Sequence, residues 1–306
     1  VGRRELGPAS LEVARAVAAA WPGGECVVGV SGGADSLALA MGAQWAAARA
    51  GGQVRAVIVD HGLQPGSADV ARRVALTLED RGIAAEVRRV TLAGRAGGVE
   101  AAAREARLAA LADVGLPVLL GHTLDDQAEQ VLLGIVRGSG TRSLGAMASR
   151  RGPFVRPLLG IRRATTAAAC TQWGLTPWQD PMNDDDAYMR VRIRHALAQL
   201  EAATGRDLAP NLARTAILAR ADADALDALA RMPSEHPTLP LRALEGQPDA
   251  IRWRRIRAWL ASRGITVGYA HVRAVDALVV AWRGQGPIAV PGGGVERRDD
   301  ELRLVV

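Results

Sequence analysis

The chain has 306 residues and a net charge of +6 from 38 basic and 32 acidic side chains, and every basic one is arginine, because no lysine occurs. That length suits two domains or one large one; no apolar run is long enough to cross a membrane, and the opening VGRRELGPAS lacks a signal-peptide core, so a cytoplasmic location without membrane contact is expected. Two cysteines far apart, Cys26 and Cys170, neither in a C-x-x-C pair, argue against a disulfide framework, a zinc site or a sulfur-carrying pair.

Residues 11–21, LEVARAVAAAW, have helical spacing, and CVVGV at 26–30 is an apolar run of the buried-strand kind. A helix through LALAMGAQWAAARA stops at Gly51-Gly52, and VRAVIVD is a second strand ending at Asp60. Ser67 is expected to cap a helix through ADVARRVALTLEDRG; AAEVRRV is a third strand, VEAAAREARLAALADVG a helix, PVLLGH a fourth strand and LDDQAEQVLLGIVRG the helix after it. Strand and helix thus alternate to about residue 137, the signature of an α/β fold with a doubly wound, mostly parallel sheet. Such sheets bind ligands at the carboxyl ends of their strands, where Ser31, Asp60, His61 and His122 should converge. A glycine- and arginine-rich connection, a helix over 164–173, the polar turn QDPMNDDDAY and the arginine-rich helix MRVRIRHALAQLEAA follow. A boundary near 204–210 divides residues 1–204 from a smaller, mainly helical domain, 205–306, whose last stretch, PIAVPGGGVERRDDELRLVV, reads as a hairpin.

Between the first strand and its helix stands SGGADS, residues 31–36. Glycines allow a sharp turn and close approach of a ligand, and the free N–H groups of a helix start attract an anion. No G-K-[ST] follows, so this is not a Walker A loop. A capped glycine turn would have the same composition, and Asp35 by itself is a good first-turn residue. The same holds for Asp125 and Asp126, which open the helix of GHTLDDQAE.

SGGADS resembles the phosphate-binding turn of the PP-loop ATP-pyrophosphatase superfamily, S-G-G-x-D-S. VDHGLQP, the E-x-x-x-R pair Glu100 and Arg104, GHTLDDQAE with R-G-S-G after it, and QDPMNDDDAYMRVRIRH are similar, in order and spacing, to the tRNA(Ile)-lysidine synthetase branch, with Gln64 and Val191 departing from its pattern. The resemblance implies an adenine nucleotide alpha hydrolase-like fold and a ligase that uses ATP and Mg²⁺ to join free L-lysine to the wobble cytidine of an isoleucine tRNA with a CAU anticodon. Ser31, Gly32, Gly33, Ala34, Asp35 and Ser36 would then cradle pyrophosphate, with Asp35 also helping to hold Mg²⁺, and Asp60, His61 and Gly121 would shape the nucleotide site. Arg104 would face the α-phosphate or the activated base, and His122 is a candidate proton acceptor or a structural histidine. Asp125, Asp126 and Glu129, one turn apart, would meet the ammonium groups of lysine.

For tRNA, Arg190 and Arg194 share a helix face while Arg192 points elsewhere, and Arg252 and Arg255 lie in a second basic helix, RWRRIR, beside Trp253. That second helix reads equally well as a solvated amphipathic one. The rivals are a tRNA thiolase, which would want paired cysteines, a small-molecule amidating synthetase, and a nucleotide-sensing module without chemistry. The oligomeric state stays open, a homodimer included.

Overall fold

A computed structural model describes residues 6–62, 66–91, 99–180, 182, 185–232 and 237–305, the side chains of 99–101 excepted; Gln64 and the Glu100 side chain lie outside it. The chain divides into two compact units, 1–217 and 218–306, with the division inside a helix, beyond the 204–210 segment.

The first unit is built on a six-stranded sheet in the order β3-β2-β1-β4-β6-β5. Its strands are β1 (Glu25–Val30), β2 (Gln53–Asp60), β3 (Ala84–Arg89), β4 (Val118–Leu120), β5 (Arg150–Arg151) and β6 (Phe154–Val155). All neighbours are parallel except β5 against β6. The helices are α1 (Pro8–Ala19), α2 (Ala34–Ala50), α3 (Ser67–Glu79), α4 (Val99–Ala112), α5 (Leu124–Val136), α6 (Thr141–Leu144), α7 (Arg163–Gln172), α8 (Met189–Thr204) and α9 (Ala209–Leu229), the last spanning the unit boundary.

The period of two along each strand sorts the helices onto opposite faces. Cys26, Val28, Val30, Ala56, Ile58 and Leu119 pack with buried residues of α1, α2, α3 and α7. The alternate positions, Val27, Val57, Val118 and Leu120, pack with Leu111 and Leu108 of α4. α2 and α4 therefore flank the strand ends from the two sides. Cys26 and Cys170 are buried and free, and burial pushes their thiols up to about 12 and about 11, as expected of small core residues.

The second unit has its own core, including Leu241, Leu244, Ile256, Leu260, Val272 and Leu278. Helices α10 (Asp249–Ala261) and α11 (Tyr269–Val280) accompany a sheet in the order β7-β10-β9-β8. The expected hairpin is three consecutive antiparallel strands, β8 (Ile288–Val290), β9 (Gly293–Arg298) and β10 (Glu301–Val305), with β7 (Leu239–Pro240) added at the edge. Ser67 does not cap α3: it is the first helical residue, behind Gly66 at φ +82°. Among the described residues no helix is long and apolar enough to cross a membrane.

Candidate active site

The carboxyl ends of β1, β2 and β4 open on a cavity of about 730 Å³, a size suited to a nucleotide. β1 delivers Ser31 and the turn into α2. Gly32 has φ +91°, and a Cβ there would stand 2.6 Å from Val74 Cγ2, so both backbone and packing demand glycine. The Ser36 hydroxyl accepts the Ser31 N–H at 3.1 Å and donates to the Gly33 carbonyl at 2.9 Å, bracing the turn from inside. Gly33, the N-cap of α2, makes no side-chain cap, which leaves the first N–H groups for an anion. Gly121 has a packing role: a Cβ there would lie 3.0 Å from the Asp35 carbonyl oxygen, so only glycine lets the end of β4 rest on the first turn of α2.

Asp35 lies at that first turn. Its carboxylate accepts a hydrogen bond from the buried Thr166 hydroxyl and lies 3.6 Å from Arg163 Nε. Burial pushes its pKa up to about 6; Thr166 and Arg163 pull against that, and the nearby Asp126 and Asp125 add to it. A half-buried carboxylate beside further carboxylates and a phosphate-binding turn is a fitting donor for Mg²⁺, which takes one or two carboxylates and completes its shell with phosphate oxygens and water.

At the end of β2, Asp60 is buried and accepts the Gly62 N–H at 2.9 Å. Burial opposes its charge, but the bonds from Gly62 and Ser67 outweigh it and hold the carboxyl below its usual range. Asp60 thus pins the turn that carries His61. Burial and the nearby Arg107 lower the pKa of His61. His122, after β4, is pushed down to about 3, chiefly by burial, and is neutral at physiological pH.

The helix α5 starts with a capping box: Asp126 Oδ2 accepts the Thr123 N–H at 2.7 Å, and Thr123 Oγ1 accepts the Asp126 N–H. Its acidic residues do not stand open for an ammonium group, contrary to expectation. Glu129, 1 % exposed, is held by Arg163 at 3.1 Å, Arg190 at 2.8 Å and Arg194 at 3.0 Å. Asp126 pairs with Arg163 and Arg190, both at 2.9 Å. Asp125 accepts the Arg163 N–H at 2.8 Å and pairs with Arg162 at 3.2 Å. A carboxylate buried this deeply needs such partners, and a guanidinium fork supplies several donors at once. Of the three, only Asp126 lines the cavity.

The same network corrects the reading of Arg190 and Arg194 as a tRNA-facing pair. Both line the cavity and bind inward to Glu129, whereas Arg192 is exposed and donates to the carbonyls of Asp186 and Ala187. Val191, the departure from the family pattern, is buried. Arg252 is likewise internal: it is 8 % exposed and pairs with Asp276 at 2.5 and 3.0 Å and with Asp249 at 2.6 Å, while Trp253 Nε1 donates to Asp276 at 2.9 Å. Arg255 is half-buried and donates to the carbonyls of Ala243 and Leu229.

Ser31, Gly33, Ala34, Asp35, Ser36, Asp60, His61, Gly121, His122 and Asp126 thus meet in one cavity, while Arg104, Asp125 and Glu129 do not line it. Gly32 shapes the turn from behind. Sequence reasoning missed Arg107, Arg163 and Trp178, which do line it. Arg107 had a signal, three positions after Arg104 on the same helix face; Arg163 is the first residue of α7, one position before the helix expected over 164–173, and Trp178 comes from a connection without periodicity.

A family model described as a PP-loop domain matches residues 11–201, and a second, the TilS substrate binding domain, matches 239–303. The chain is 48 % identical to the tRNA(Ile)-lysidine synthase of Rhodococcus erythropolis, covering 95 % of this chain and 92 % of that protein. It is 46 % identical to that of Cutibacterium acnes, with 99 % of each covered, and 50 % identical to that of Nocardia farcinica, with 87 % and 85 % covered. Among solved structures, a U34-tRNA thiolase from Methanococcus maripaludis with its [4Fe-4S] cluster is similar at TM-score 0.56 and 17 % identity, over 74 % of this chain and 82 % of that one, a likeness of fold. By sequence over nearly its whole length, and by a phosphate-binding turn set at the strand ends of a parallel sheet, the chain belongs to the tRNA(Ile)-lysidine synthase family.

Proposed function

We propose that the protein is a carbon–nitrogen ligase that converts the wobble cytidine of the CAU-anticodon isoleucine tRNA to lysidine, using ATP and free lysine, in the cytoplasm. The observation that carries this reading is that the SGGADS turn, His61, His122, Asp126 and the arginines of α7 and α8 open on one cavity. It is supported by relatives of that name along the chain.

The chemistry has two displacements. The C2 oxygen of cytosine attacks the α-phosphorus; the O–P bond forms, the bond to the β-phosphate oxygen breaks, and its electron pair leaves with pyrophosphate. The ε-amine of lysine then attacks C2, the C2–O bond breaks, and AMP departs with that oxygen while the nitrogen gives up a proton. N–H groups of the Ser31–Ser36 turn and the start of α2 stabilise the charge gathering on pyrophosphate. Asp35 would hold Mg²⁺, which when bound would neutralise phosphate charge. Asp126 and Glu129 hold Arg163, Arg190 and Arg194 at the cavity wall, where their guanidinium N–H groups can donate to lysine's carboxylate. His122, being neutral, can accept a hydrogen bond from the incoming amine. ATP, radiolabelled lysine and purified tRNAs test the reading: label should enter only the CAU-anticodon isoleucine tRNA, with one AMP per lysine. AMP release that needs neither lysine nor tRNA would overturn it.

A further inference from the structure

Three buried nitrogens on the wall of this cavity have no protein partner among the described residues: Nδ1 of His61, Nε of Arg107 and Nδ1 of His122. They come from three elements, the end of β2, the helix α4 and the end of β4. An orphaned polar atom in a folded interior is costly: the Nε–H of Arg107 can only donate and so needs an acceptor, and each imidazole nitrogen beside the same cavity needs a partner of its own. Arg107 is the unusual member. Every other arginine of the site, Arg163, Arg190 and Arg194, is ion-paired, whereas no carboxylate is paired with Arg107 among the described residues. Its charge is opposed by burial and by the neighbouring Arg104 and Arg190, which bring it down to about 10.

The position selects the anion. α4 packs on the face of the sheet opposite α2, so Arg107 lies across the strand ends from the phosphate-binding turn. That turn accounts for the β- and γ-phosphates, and the arginines paired to Glu129 serve an amino-acid carboxylate on the α5 and α8 side. What is left beside His61 is the phosphoryl group that joins nucleoside to pyrophosphate.

We propose that Arg107 is a catalytic residue that binds the non-bridging oxygens of the α-phosphoryl group, flanked by His61 and His122, and carries its charge as it passes from pyrophosphate to the cytosine oxygen. This rests on the adenylation reading above and assigns to Arg107 the role the resemblance gave to Arg104. The step moves no redox electrons: one P–O bond forms, one breaks, and the leaving electron pair goes to pyrophosphate. The guanidinium keeps its protons throughout and offers a planar pair of donors to two oxygens.

The test compares AMP with adenosine, which differ by that phosphoryl group, in calorimetric titrations of the wild type and Arg107→Gln. AMP should bind about 10- to 100-fold more weakly to the variant, and adenosine equally to both. Removing an unpaired buried charge should also raise the melting temperature of the ligand-free protein by about 2–4 °C, which loss of a structural ion pair would not do. Lysine-independent adenylation of tRNA in a single turnover should fall by about 10²–10³, with partial recovery in Arg107→Lys. Unchanged AMP affinity, or equal loss for AMP and adenosine, would overturn the assignment. So would a raised KM for lysine without one for cadaverine, its decarboxylated analogue, at constant AMP affinity, since that marks a carboxylate site. If the wild type made no lysidine the ligase reading would fail, while the AMP and adenosine titrations would still decide what Arg107 binds.

Discussion

At Asp35, burial and the neighbouring Asp126 favour the protonated carboxyl, with a pKa of about 6 against 3.8 for an unperturbed aspartate. The folded state therefore binds this proton more tightly than the unfolded chain. The stabilisation is complete below pH 3.8 and is lost as pH rises through about 6. Two pKa units correspond to about 3 kcal/mol, an upper figure because the side chain keeps some contact with solvent. Asp35→Asn should thus leave stability at pH 4 nearly unchanged and raise it by about 1–3 kcal/mol at pH 8, read from urea midpoints without ligand. The same variant should lose Mg²⁺-dependent ATP binding and adenylation. No stability gain at pH 8 would show that the carboxylate is not held against its own charge. The residue suited to a cation in the reaction is, by the same physics, a burden on the fold without one.

At the scale of elements, α5 packs on α8 through Ala128 and Leu197, and charge ties in a third helix: Glu129 of α5 meets Arg163 of α7 and both Arg190 and Arg194 of α8. Removing one partner of a buried pair leaves the others uncompensated, typically at about 3–5 kcal/mol. Glu129→Ala should lose stability in that range and release α8, seen as faster amide exchange in α8 than in the sheet strands, while Arg192→Ala, exposed on the same helix, should change stability by less than about 0.5 kcal/mol. Equal effects of the two would refute the network's role. The helices and long strands that frame this cluster were legible from periodicity and glycine stops, because their signals are local. The two-residue strands β5, β6 and β7 were not, since a period of two needs more residues to declare itself. Asp126 and Glu129 were visible as carboxylates on a helix, yet their partners lie 34 to 65 positions away, and pairing at that range leaves no mark in spacing. Hence the carboxylates read as ligands for an ammonium group when the fold had already given them guanidinium groups.

Over the whole molecule, a net charge of +6 carried entirely by arginine suits a polyanionic substrate, but only arginines with heads in solvent can trade counterions for phosphates. On α10 the neighbours divide by this criterion: Arg252 is buried against Asp276, Asp249 and Trp253, whereas Arg257 is exposed. Each exposed arginine on a tRNA phosphate should contribute about 0.7–0.9 to the slope of log K against log salt. Arg257→Gln, if this face of the substrate-binding domain meets tRNA, should lower that slope by about one and weaken binding to all tRNAs alike, with the melting temperature unchanged. Arg252→Gln should do the reverse, keeping the slope in the folded fraction while leaving Asp276 uncompensated and the fold about 3–5 kcal/mol weaker. Filter binding across a salt series, with a urea melt of each variant, separates the two. A slope change in Arg252→Gln without loss of stability would return that residue to the RNA surface and break the division between arginines that build the fold and arginines that meet the substrate.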